Sequence, residues 1–142
     1  MLLSSFPTFG QIDGKGLICS SDNISEEDKL VTLRSMELLG IYGASIDDIK
    51  LAILFENKSA SILMPAGEDG IVKYEKLTTD SYTADPQKIH FESGSYLDRK
   101  TLKINDNNKF LSCEIFESAD SLNKELSRLS IILQKKLDMM LE

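Results

Sequence analysis

The segment from Asp48 to Glu56 constrains this chain more than any other. Ile49, Leu51, Ile53 and Phe55 alternate with Lys50, Ala52, Leu54 and Glu56, and a period of two marks a β-strand. Ala52 and Leu54 make the second face of that strand apolar as well. Such a strand belongs at the centre of a sheet with a layer on each side, or at an interface. After Asn57-Lys58 the run Ser59–Met64 returns before Pro65, which predicts a β-hairpin with a tight turn. The fold must therefore contain an antiparallel sheet with something to cover both of its faces.

Helices are the natural cover, and the sequence offers two. Ser25 is followed by Glu26, Glu27 and Asp28, an N-cap hydroxyl with acidic residues against the positive helix end. Ser25 and Asp28 stand three apart, as in a capping box with Asp in place of Glu. Leu30, Leu33, Met36, Leu39 and Ile41, widened by Val31 and Leu38, predict an amphipathic helix over 25–40, ending near Gly40 and Gly43. The second helix is predicted over 119–141, capped by Ser118 or Asp120. Its stripe is Leu122, Leu126, Leu129, Leu133, Leu137 and Met140.

Shorter strands fill the intervals. Phe6, Phe9 and Ile12 lead into Asp13-Gly14-Lys15-Gly16, and Leu17-Ile18-Cys19 resumes an apolar run, so residues 6–22 read as two strands around a turn. Residues 71–77 form a third candidate strand, and 89–91 a short one. Thr101–Ile104 and Phe110–Phe116 flank Asn105-Asp106-Asn107-Asn108, a second hairpin. The polar stretch 78–87, with Asp85-Pro86, is expected to be an exposed loop. One domain over 1–142 follows, a length that buries one ordinary core without staples.

Sixteen Lys and Arg against 23 Asp and Glu give a formal charge of −7. That field repels a phosphate backbone, so nucleic acid is not an expected partner. No run approaches the ~20 apolar residues of a membrane span, and Met1–Pro7 lacks the basic and apolar regions of a secretory leader. Membrane insertion is not expected, and the chain reads as cytoplasmic. Cys19 and Cys113 are expected to be buried reduced thiols. The sequons at Asn23 and Asn57 would matter only in a secreted chain.

Chemistry-bearing patterns do not assemble. The lone histidine, His90, lies beside Phe91, and His90-Phe91-Glu92 lacks the Pro-Cys-x-x-Cys of a zinc deaminase. Gly14-Lys15-Gly16 is not a phosphate loop. Asp13, Lys15 and Leu17 occupy the first three alternate positions of a would-be calcium loop, and Lys15 and Leu17 cannot coordinate. Asp47-Asp48 and Glu68-Asp69 are solvated turn charge. No catalytic residue, cofactor or metal is expected, and the chain reads as a binding or scaffolding protein rather than an enzyme.

Residues Gly16–Ser21, the helix from Ser25 to Leu39, and the segments Asp48–Glu56 and Ser61–Gly67 together resemble the roadblock domain and its longin and profilin-like relatives, over about residues 6–77. That resemblance implies an α/β (α+β) fold, a mostly antiparallel central sheet packed with two long amphipathic helices. It also implies a scaffold or adaptor that pairs with a like or related chain, as homodimer or heterodimer, and serves a small GTPase, motor or trafficking assembly. The acidic charge and mixed body also suit the small cytosolic chaperones of type III secretion, which bind exported effectors. The expected protein interface comprises Ala52, Leu54, Ile131, Met139 and Met140.

Overall fold

The computed structural model describes residues 12–22, 24–107 and 109–140. Within them eight strands follow one another as antiparallel neighbours: β1 (Gly16–Asp22), β2 (Leu51–Glu56), β3 (Ser59–Glu68), β4 (Ile71–Ala84), β5 (Lys88–Phe91), β6 (Tyr96–Asp98), β7 (Lys103–Asp106) and β8 (Lys109–Phe116). The last strand pairs with the first over Gly16↔Phe116 to Asp22↔Phe110, so the sheet closes into a barrel. Helix α1 (Glu26–Leu38) and a 3-10 turn (Ile46–Asp48) lie in the β1–β2 connection, and helix α2 (Ala119–Met140) follows β8.

Local chemistry explains the turns. Asn57 and Lys58 both take positive φ, 51° and 63°, the backbone of a type I′ turn, whose twist matches the flanking strands. The Ser25 side chain accepts the Asp28 N–H at 3.1 Å, starting α1 where the sequence predicts. Ser118 caps α2, its Oγ accepting the Ser121 N–H at 3.1 Å while its own N–H donates back to Ser121 Oγ at 3.3 Å.

Alternation along each strand separates two cores. Leu17, Cys19, Ile53, Phe55, Ala60, Tyr82, Ile89, Phe91, Leu97 and Ile104 fill the barrel together with Ile12. Ile18 and Ala52 point the other way and are covered by Leu122 and Leu126 of α2, with Leu54, Leu63 and Tyr74 beside them. Gly16 lets α2 approach this closely, since a Cβ there would lie 2.6 Å from Leu122 Cδ2. Further along α2, Leu133 joins Met36, Ile41, Ile49 and Val72 in a third cluster. Gln134 fastens that end to the β3–β4 turn: its Oε1 accepts the Val72 N–H at 2.7 Å and its Nε2 donates to the Gly70 carbonyl at 2.8 Å.

Strand β4 serves both cores because of a bulge. Its register with β3 shifts between Ile62↔Thr78 and Leu63↔Lys76, leaving Leu77 as the extra residue. An inserted residue reverses the parity of a strand. Val72 and Tyr74 therefore join the clusters under α2, whereas Tyr82 and Ala84 belong to the barrel interior.

Several expectations need correction. The sheet is a closed barrel with one helix packed along it, in place of a roadblock-like or longin-like sheet packed with two long helices. Helix α1 forms, but Met36 is its one fully buried residue, and Leu30, Val31 and Leu38 stand 58, 59 and 88% exposed. Residues 78–84 are strand rather than loop: their outward side chains Thr79, Ser81 and Thr83 are wet, which makes a paired strand look like a polar interruption. The expected first strand lies outside the described residues, except that Ile12 sits in a helical turn and is buried. Cys19 and Cys113, opposed across the β1–β8 ladder, form a disulfide instead of two reduced thiols. No helix among the described residues is long and apolar enough to cross a membrane.

Two measurements check this architecture. Leu54→Glu places a charge under α2 and should cost about 2–4 kcal/mol; hydrogen exchange should show residues 119–140 losing protection first. The Cys19–Cys113 bond closes a loop of 94 residues, which the chain-entropy picture values at about 4–5 kcal/mol. A Cys19→Ser/Cys113→Ser variant should lose most of that in guanidinium unfolding while keeping its strand content.

Candidate functional site

The two ends of the barrel differ. At the end where β1 begins, the turn Ile12–Lys15 folds into the opening. Ile12 is 4% exposed among the interior side chains. The Gly14 N–H donates to the Phe55 carbonyl at 2.6 Å, and the Phe55 N–H to the Lys15 carbonyl at 3.0 Å. Asp13 accepts the buried Tyr82 hydroxyl at 2.6 Å and the Lys58 N–H at 3.3 Å. Burial pushes the Tyr82 phenol well above its ordinary pKa, and the Asp13 carboxylate adds to the rise, so Tyr82 serves as a neutral donor. The Tyr82 ring meets Phe55 edge-on with centroids 5.0 Å apart, and Phe55 stacks on Phe91 at 6.3 Å. This end is closed by packing.

The other end opens into a cavity of about 520 Å³. Its apolar floor is Leu51, Ile53, Ile62, Phe91, Ile104 and Leu111, the last layer of inward side chains before the rim. The rim is polar, with Thr78, Thr79 and Asp80 from β4, Glu92, Ser93 and Ser95 from the β5–β6 turn, and Asp106 from the end of β7. Volume and lining fall in the usual range for a small-molecule site, about 300–1,000 Å³ with a few placed polar groups.

The rim is held in place by backbone bonds. The Glu92 N–H donates to the Ser81 carbonyl at 2.9 Å, Phe91 N–H to Ser95 carbonyl at 3.0 Å, and Gly94 N–H to Phe91 carbonyl at 2.9 Å. The Ser93 N–H reaches Asp80 Oδ2 at 3.3 Å. Gly94 takes φ of +107°, a conformation that side chains oppose. The β5–β6 turn is thereby tied down on β4 with the Glu92 carboxylate and the Ser93 and Ser95 hydroxyls at the opening.

A second cleft joins the mouth where Asp106 and Leu111 line both. It runs between α1, through Asp28, Val31 and Thr32, and the β7–β8 hairpin, through Lys103, Lys109 and Phe110. Lys109 Nζ bonds Asp28 Oδ1 at 3.1 Å across it. That bond, followed by the Ser25 cap, holds the Asp28 carboxyl below its ordinary range.

The residues expected to form a protein interface are separated by this fold. Ala52 is buried and Leu54 half-buried beneath α2, the contact that covers the second face of β2. Ile131, Met139 and Met140 are exposed on α2, with the Met140 methyl beside Gly43. His90 lies at the closed end, its Nε2 3.1 Å from Asp85 Oδ2. The Lys88 and Gln87 N–H groups hold the Asp85 carboxyl below its ordinary range, with a further bond to His90, so this pair completes a turn. Among the described residues no group of three or more His, Cys, Asp or Glu is placed to hold a metal ion.

Sequence reading missed the mouth. Asp80 lies in the stretch 78–87 that its polarity marks as a loop, although Thr78-Thr79-Asp80-Ser81-Tyr82-Thr83 is rich in β-branched and aromatic residues, the composition of strands. Compared with family models, with curated proteins and with solved structures, the chain matches none.

The closed end generates a prediction. Tyr82→Phe removes one buried hydrogen bond and should cost about 1–2 kcal/mol. The Gly14 amide should exchange faster while amides of α2 keep their rates; equal loss in both would show that the plug is part of one global unit.

Proposed function

We propose that this chain is a non-catalytic binding protein that takes one small, elongated, amphipathic ligand into the open end of its barrel. One observation carries the reading: the same barrel is packed shut at one end and holds an apolar-floored, polar-rimmed cavity of about 520 Å³ at the other. An eight-stranded barrel has room to be filled by side chains or to hold one small ligand, and here the side chains fill only one half.

An adaptor role with GTPase, motor or trafficking partners rests on a sheet-and-two-helix fold, and a chaperone role with an exported effector rests on a mixed α/β body. A closed barrel withdraws that support from both. The disulfide across β1 and β8 favours an oxidising compartment over the cytoplasm. Strands β5, β6 and β7 have four, three and four residues, short of the roughly 9–11 of a transmembrane strand, which supports a barrel outside the bilayer.

A protein partner keeps separate support in exposed Leu38 and Tyr42, 88% and 67% accessible near the end of α1. Sedimentation equilibrium would reveal self-association as a mass above 15.9 kDa that falls with Leu38→Glu.

The neutral dye N-phenyl-1-naphthylamine tests the cavity. It should brighten on binding, with one site per chain. Ile62→Trp, which fills the mouth from the β3 wall, should weaken that binding by about tenfold or more with the melting temperature little changed. Undiminished binding in a folded Ile62→Trp protein would place the dye elsewhere and refute the reading.

A further inference from the structure

We propose that the mouth of the barrel selects an amphipathic organic cation, with the apolar body on the barrel floor and an ammonium head at the rim. The inference rests on the ligand-cavity reading above and adds the charge of the occupant. Three carboxylates, Asp80, Glu92 and Asp106, line this opening, and among the described residues no lysine or arginine does. None of the three forms a salt bridge among the described residues, although seven pairs form elsewhere on the described surface. Asp80 is half-buried, and the Ser93 N–H at 3.3 Å is the one hydrogen bond to its carboxylate there. A cleft lined by one sign of charge over a low-dielectric floor focuses its field outward. An anionic head would meet that field unfavourably, and a neutral one would gain nothing from it.

The arrangement also discriminates between kinds of cation. The three carboxylates come from β4, the β5–β6 turn and β7, spread around the rim, and they do not make a metal-holding group. A compact metal ion requires converging ligands. An ammonium group needs only dispersed negative charge and hydrogen-bond acceptors, and Ser93, Ser95 and Thr78 add hydroxyl oxygens to the same rim. Beneath them Ile53, Ile62, Phe91 and Ile104 present hydrocarbon, which has no use for a bare ion and suits an alkyl or aryl body. Within about 520 Å³ a chain of about eight carbons fits.

Isothermal titration of the full chain with octylamine, octanol and octanoate, at pH 7 and about 20 mM salt, separates body from head. Octylamine should bind about tenfold tighter than octanol, and octanoate about tenfold weaker than octanol. Raising the salt to about 0.3 M should shrink both ratios, as screening requires. Asp80→Asn/Asp106→Asn should reduce octylamine affinity about tenfold and leave octanol unchanged. Glu92→Gln, on an exposed turn, should move octylamine alone in the same direction, a control should the double variant disturb the fold. Equal affinity for the three probes, or a preference for octanoate, overturns the cation inference and leaves the ligand cavity standing. Failure of all three to bind overturns both. Unchanged octylamine binding in Glu92→Gln and in the folded double variant would also overturn it, since the selectivity would not come from these carboxylates.

Discussion

Everything in this molecule depends on the pairing of its first strand with its last. Seven residues of β1 face seven of β8, from Gly16↔Phe116 to Asp22↔Phe110. This is the contact of longest sequence separation in the barrel, and its loop-closure entropy must be overcome before any interior is enclosed. The Cys19–Cys113 disulfide lies in the middle of that ladder, with both sulfur-bearing side chains turned into the lumen. The Cys113 N–H donates to the Leu102 carbonyl at 2.8 Å, away from β1, so the two cysteines form the closely spaced, non-hydrogen-bonded kind of cross-strand pair. With the join made, neither strand is an edge, and the aggregation hazard of an open sheet disappears.

Closure alone would leave the outer face of β1, β2 and β3 apolar and wet. Helix α2 covers it, and the bulge at Leu77 lets β4 take part on both sides. Before the bulge, Val72 and Tyr74 complete the helix-covered clusters. After it, Asp80, Tyr82 and Ala84 turn toward the lumen or its mouth. The long β3–β4 hairpin thus extends beyond the barrel wall and is held there by Gln134, while the shorter β5, β6 and β7 end sooner. A wall of unequal height makes one end of a barrel easier to leave open.

Part of this was legible in the sequence. The β2–β3 hairpin, the capped start of α1 and the extent of α2 follow from local signals: a period of two, a hydroxyl before acidic residues, and a leucine stripe at helical spacing. The covered second face of β2 was legible as a need, since Ala52 and Leu54 demanded a layer, but not as an answer. Closure is non-local, and nothing in Gly16–Asp22 or Lys109–Phe116 separately announces that they are partners. Two cysteines 94 residues apart read as buried reduced thiols until the register places them opposite. The mouth was hidden for a different reason. Inward residues near an opening are polar, so the alternation that betrays a strand fades where Thr78 and Asp80 replace aliphatics.

That fading is itself informative. In a barrel built only for stability, the upper layer would continue the hydrocarbon of Ile53, Phe91 and Ile104. A half-buried carboxylate such as Asp80, which among the described residues has one backbone N–H and no cation as partners, gives up solvation that this bond only partly restores. The closed end shows the alternative within the same molecule: there Asp13 is matched by Tyr82 and the Lys58 N–H, and Ile12 fills the opening. Identical strands carry both ends, so the difference lies in the residues placed at each. Local departures from good packing concentrate where a protein meets what it binds. Under the proposed ligand-binding function, the rim carboxylates Asp80, Glu92 and Asp106, which form no salt bridge among the described residues, are the groups that a ligand's head would meet above the apolar floor.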